Sequence, residues 1–194
     1  MGTVHTLTSS MSRTRANASE RWTDSEFKRV FLEHYTRIVD VLLRLLGDRM
    51  RAEEVANDAF WRLYQQAPMA ESTDNVGGWL YRTATNLGID ALRTSLRRMH
   101  YEQTYGKEAP NTRLQPGPLE AILVEEKRSR VHAALATIRP VQAQLLILRA
   151  SGLSYKELAK VLDTKPSGIG TMLNRAEAEF RKRYLDLYSK EEEL

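Results

Sequence analysis

The 194-residue sequence contains no cysteine. Disulfides, thiolate zinc sites, iron–sulfur clusters and cysteine nucleophiles are excluded. The absence fits a reducing cytoplasm, the compartment expected. No run of about 18 apolar residues occurs, so neither a membrane span nor a membrane partner is expected. Residues 1–22 hold no apolar stretch of secretory length. Charge of one sign is also scarce: 29 basic residues face 25 acidic ones, for a net +4. Such a balance permits a nucleic-acid partner through local patches without the polycation that would demand one. Histidine is rare, and His5, His34, His100 and His132 have no histidine three or four residues away. No Ser-His-Asp set, phosphate loop or metal-ligand spacing is present, so neither an enzyme nor a bound cofactor or metal is expected.

What the chain does have is helical periodicity, in an apolar content of 42%. No strand alternation of any length occurs, and the fold class predicted is all-α: two small helical domains joined by a flexible linker, the second containing a helix-turn-helix. Residues 1–22, rich in Ser, Thr and Arg, read as a disordered tail. The first domain is placed at 23–98. Thr23 and Glu26 form a capping box before a stripe of Phe27, Val30, Phe31, His34, Ile38, Val41, Leu42 and Leu45, which stops at Gly47. Asp48 is the expected cap of a second helix, and a third runs from about Gly78 to Arg98. Residues 99–118 hold prolines and glycines without a period and are read as the linker. The second domain is placed at 119–188 and an acidic tail at 189–194.

The third helix offers two faces. Leu80, Ala84, Leu87 and Ala91 form an apolar stripe; Arg82, Asn86, Arg93 and Arg97 form a polar one, with Trp79 and Tyr81 at the helix entrance. Aromatic and guanidinium groups on one side suit a single nucleic-acid strand. An ordinary solvated face, with Asp90 paired to Arg93, fits the same pattern, and Trp79 fits the core as well as a stacking role. Residues 154–176 have helix-turn-helix spacing, although a plain helix hairpin shares its outline. Leu158, Ala159 and Leu162 face inward, a tight turn follows at Asp163–Lys165, and Ile169, Met172, Leu173, Ala176 and Phe180 close the inner face. Gly168, Thr171, Arg175, Ala178 and Lys182 point away from it, where a major groove would lie. Lys165, Ser167 and Asn174 complete the candidate DNA contacts. Gly168 and Gly170 predict a reading end that frays.

With both units in view, the chain resembles the extracytoplasmic-function sigma factors of the sigma-70 family. The likeness rests on Arg51–Tyr64 (RAEEVANDAFWRLY), on Trp79-Leu80-Tyr81-Arg82 with Asn86, Asp90 and Arg93, and on Leu135–Pro140, Leu148, Ser154–Ala159 and Asn174-Arg175-Ala176. It implies a transcription initiation factor whose partners are core RNA polymerase and promoter DNA, with an anti-sigma factor as a further possible partner. Glu53, Glu54, Asn57, Asp58 and Arg62 would then bind polymerase. Trp79, Tyr81, Arg82, Asn86, Arg93, Arg97 and Arg98 would read and melt the −10 element, and the second domain would dock the −35 element. The chain departs from the family pattern at Gly168, Gly170 and Met172, and over residues 65–78, which lack an aromatic or basic residue. Two other readings stay open on the residues alone: a stand-alone helix-turn-helix regulator, and a polymerase-binding protein with reduced DNA reading.

Overall fold

The computed structural model describes residues 22–65, 75–105 and 119–188, and every regular element among them is helical. The first domain has three helices: α1 (Asp24–Leu46), α2 (Arg49–Gln65) and α3 (Val76–Tyr105). The second has four: α4 (Leu119–Thr137), α5 (Pro140–Ala150), α6 (Tyr155–Leu162) and α7 (Pro166–Tyr188). The tail at 1–21, the loop at 66–74, the linker at 106–118 and the acidic tail at 189–194 lie outside the described residues.

The sequence signals for helix ends act as expected. Thr23 Oγ1 accepts from the Glu26 amide at 3.3 Å, and Glu26 accepts from the Thr23 amide at 3.1 Å. The cap bonds hold the Glu26 carboxyl below its ordinary value. Gly47 closes α1 in the left-handed region at φ 76, its amide bonded to the Leu43 carbonyl. Asp48 Oδ1 accepts from the Arg51 amide at 3.0 Å and starts α2.

Three boundaries differ from the sequence reading. Trp22, placed in the tail, is buried, and its indole N–H donates to the Leu63 carbonyl at 3.0 Å. A large apolar ring with one donor gains by docking on the α1–α2 pair. Helix α3 opens earlier than expected, at Val76, where Asn75 Oδ1 accepts from the Gly78 amide. It also continues seven residues past Arg98, with Arg98 Nε donating to Glu102 across one turn at 2.7 Å.

The core of the first domain gathers Val30, Ile38, Leu42, Ala56, Phe60, Leu63, Leu80 and Ala84. Phe31 stacks on Tyr35 at 4.5 Å and tilts against Phe60 at 4.9 Å. The second core does not stop at a domain boundary. Val41 and Leu45 of α1 and Ile89 and Leu92 of α3 are buried in one cluster with Leu135, Ile138, Leu145, Ile147, Leu148, Leu158 and Ile169. Helix α3 therefore carries a second apolar stripe. Tyr81, Thr85, Ile89, Leu92 and Leu96 recur at i, i+4, i+8, i+11 and i+15, and this stripe seats the second domain.

Candidate nucleic-acid interface

The helix-turn-helix is built by α6 and α7. Ser154 and Glu157 cap α6 reciprocally, with Ser154 donating to Glu157 at 2.7 Å, and these bonds hold the Glu157 carboxyl below its ordinary value. Asp163 turns the chain at φ 51, and its amide and that of Thr164 return to the Ala159 carbonyl. Leu158 and Ala159 of α6 pack on Ile169, Leu173 and Ala176 of α7, all buried. The reading end of α7 is continuous helix through Gly168 and Gly170. Pro166 presets the first turn, and fully buried Ile169 anchors it, which offsets the weak propensity of the two glycines. On the outer side Lys165, Ser167, Thr171, Asn174, Arg175 and Lys182 are all exposed, so the row offers its polar groups to solvent.

The outer face of α2 is equally open. Glu54, Asn57, Asp58 and Arg62 are exposed. Glu53 is less free, because it accepts from Arg49 Nε at 2.8 Å. Two residues beyond the sequence candidates share this face: Trp61, 58% exposed, and Tyr64, 43% exposed, with rings stacked 5.9 Å apart. Their signal was present, since Trp61 follows Asn57 and Asp58 by four and three positions and so shares their side of the helix. Large exposed rings are enriched at protein–protein interfaces relative to the rest of a surface.

The polar face of α3 is divided. Asn86, Arg97 and Arg98 are exposed; Arg97 bonds Thr94 and Arg98 bonds Glu102 within the helix. Trp79 is half-buried against the first core, and Tyr81 packs against both cores. Burial raises the Tyr81 phenol above its ordinary range, partly opposed by the adjacent Arg37 guanidinium. Arg82 and Arg93 are turned into the second domain. Arg82 Nε donates to the Val161 carbonyl at 2.6 Å. Arg93 Nε and Nη2 donate to the Ala136 and Ile138 carbonyls at 3.0 and 2.8 Å. Arg93 thus takes backbone acceptors rather than Asp90. Among the described residues, no group of three or more His, Cys, Asp or Glu is placed to hold a metal ion, and no helix is long and apolar enough to cross a membrane.

A three-helix unit with an open acidic-aromatic face, followed by a helix-turn-helix unit, defines a two-domain all-helical protein. The Sigma-70 region 2 family matches residues 30–98, and the Sigma-70, region 4 family matches residues 128–180. The chain is 25% identical over 158 residues to the ECF RNA polymerase sigma factor SigW of Bacillus subtilis, covering 78% of this chain and 84% of that protein. It is 25% identical over 162 residues to the ECF RNA polymerase sigma factor SigE of Mycolicibacterium smegmatis, covering 82% of this chain and 61% of that protein. It is 29% identical over 135 residues to the ECF RNA polymerase sigma factor EcfG of Rhodopseudomonas palustris, covering 69% and 71%. The chain belongs to the extracytoplasmic-function sigma factors of the sigma-70 family, and its function is that of a promoter-directing transcription initiation factor.

Proposed function

We propose that the outer face of α2 holds core RNA polymerase, that the cations of α3 hold the separated −10 strand, and that the outer row of α7 docks the −35 duplex. The observation that carries this reading is the free presentation of two unlike surfaces on one chain: the carboxylate and Trp61–Tyr64 face of α2, and the polar row of α7. Trp61 and Tyr64 are the expected anchors against polymerase, since large rings dominate binding energy, and Glu54 and Asp58 steer a basic partner. On α7, Arg175 and Thr171 offer the donors closest to the groove, and Lys165 and Lys182 supply phosphate contacts.

Run-off transcription with bacterial core polymerase and genomic template tests the reading: RNA starts at discrete positions are expected, and their absence refutes it. Glu54→Lys with Asp58→Lys is expected to abolish retention on core polymerase while leaving the circular dichroism spectrum unchanged, because both carboxylates face solvent. Retention equal to that of the native chain removes α2 from the assignment.

A further inference from the structure

The geometry points to a binding site for a small amphipathic carboxylate, an apolar body with one anionic head, in the cavity where α1, α4, α5 and α7 meet. The site is independent of which faces hold polymerase and promoter DNA.

The cavity has a volume of about 580 Å³. Volumes of that order hold ligands of drug size, and such sites favour the seams between domains. Leu45 of α1 comes from the first domain; Leu135 of α4 and Ile147 of α5 come from the second. All three are buried and make an apolar floor. Half-buried Leu146 and Phe180 and exposed Val131 and Ala150 carry the apolar lining outward. Every lining residue lies within a helix, so the space is shaped by packed elements and not by a loop. Water there finds few hydrogen-bond partners, and an apolar body displaces it favourably.

The polar groups are few and mostly of one sign. Arg44 and Arg149 bring two guanidinium groups against the single carboxylate of Glu177. That excess favours an anionic head over a cationic one. Arg149 is held in position: Nη1 donates to the Leu153 carbonyl at 3.2 Å, and the guanidinium lies 5.6 Å from the centre of the Tyr155 ring. One such bond leaves further N–H donors of the guanidinium for a ligand oxygen. His132 is the third polar group on the lining. Its Nε2 stands 3.4 Å from the Arg44 carbonyl, longer than an ordinary hydrogen bond, so a carboxylate oxygen competes well for the ring. A sugar or a base would leave its polar edges unpaired against leucine and phenylalanine, which a fatty or aromatic acid does not. Because the lining comes from both domains, an occupant is expected to stabilise the folded chain.

The test uses the full chain with decanoate and decyltrimethylammonium, which share one hydrocarbon chain and carry opposite charge. Each is titrated by calorimetry at low salt, below micelle formation. Decanoate is expected to bind about tenfold more tightly than decyltrimethylammonium and to raise the melting midpoint. Arg44→Gln is expected to weaken decanoate about threefold without weakening decyltrimethylammonium. Ala150→Trp fills the cavity from an exposed position and is expected to abolish decanoate binding with the circular dichroism spectrum unchanged. Val131→Trp fills it from α4 and takes the place of Ala150→Trp if that chain misfolds; if both misfold, Arg44→Gln decides. Four results overturn the proposal: no decanoate bound by the native chain, equal affinity for the two head groups, decanoate affinity unchanged in Arg44→Gln, or affinity undiminished in a folded tryptophan variant. Run-off transcription separates these from the functional reading. A chain that starts transcripts at discrete positions yet binds no decanoate removes the ligand site and leaves the initiation role intact.

Discussion

Alanine at Gly88 and alanine at Gly170 are expected to move stability in opposite directions, although each replaces a glycine inside a helix. The propensity gain is shared, at up to about 1 kcal/mol per site. What differs is the space. At Gly170 a new Cβ meets only Tyr155 Cε2, at an ordinary 3.8 Å, so the gain is realised. The melting midpoint should rise by about 1–4 °C for a chain of this size. At Gly88 the Cβ falls 2.7 Å from Cδ2 of both Leu42 and Leu45, closer than any real contact. Those leucines are 0% and 1% exposed at the crossing of α1 and α3, with packed neighbours on every side. Overpacking a filled core costs about 1–3 kcal/mol, which cancels or exceeds the gain. The net effect should be a loss of up to about 2 kcal/mol, with the midpoint falling by several degrees. Thermal unfolding of the two variants and the native chain, followed by far-ultraviolet circular dichroism, measures both shifts. A Gly88→Ala chain more stable than the native one refutes the packing argument. A Gly170→Ala chain that melts earlier refutes the placement of α7's first turns.

Trp22→Ala should cost about 3–5 kcal/mol in urea unfolding and Trp22→Phe about 1, since the first loses ring burial and the second chiefly the bond to Leu63; equal losses would deny the hydrogen bond a role. Burial is the main cause holding His34 and His132 below their ordinary value of 6.5. The unfolded chain therefore binds more protons than the folded one just below that value, so stability is full above pH 6.5 and falls as acidification proceeds through it. Glu33 and Arg37 act on His34, and Arg128 and Glu125 on His132, which lines a cavity together with Arg44, Arg149 and Glu177. A melting midpoint flat between neutral pH and pH 5.5 would contradict this. Below pH 4.5, protonation of the capping carboxylates Glu26 and Glu157 should remove further stability. Promoter DNA binding should weaken as salt is added, because cationic side chains would meet phosphates.

The helices themselves were legible because their signals are local. The Thr23–Glu26 and Ser154–Glu157 boxes, the left-handed stop at Gly47 and the proline at position 166 each act on their own turn of backbone. The helix-turn-helix was legible for the same reason, its inner row of Ile169, Leu173 and Ala176 being a periodicity within one helix. Trp61 was legible in principle from its spacing to Asp58, and Tyr64 from its spacing of seven residues, two helical turns, to Asn57. Trp22 was not, because nothing local distinguishes a docked tryptophan from one in a tail.

What only the tertiary structure decided is which surface each helix meets. Periodicity states that a face is apolar, not what covers it, so the stripe from Tyr81 to Leu96 carried no mark that the second domain sits there. Nor did Arg82 and Arg93 announce their partners. They bond backbone carbonyls, which every residue possesses, and the acceptors become special only where α4 and α6 end against α3. The sequence alone thus determined two helical units and the chemistry each can present; their mutual seating, and with it which cations are free to meet nucleic acid, depends on long-range burial that no local pattern encodes.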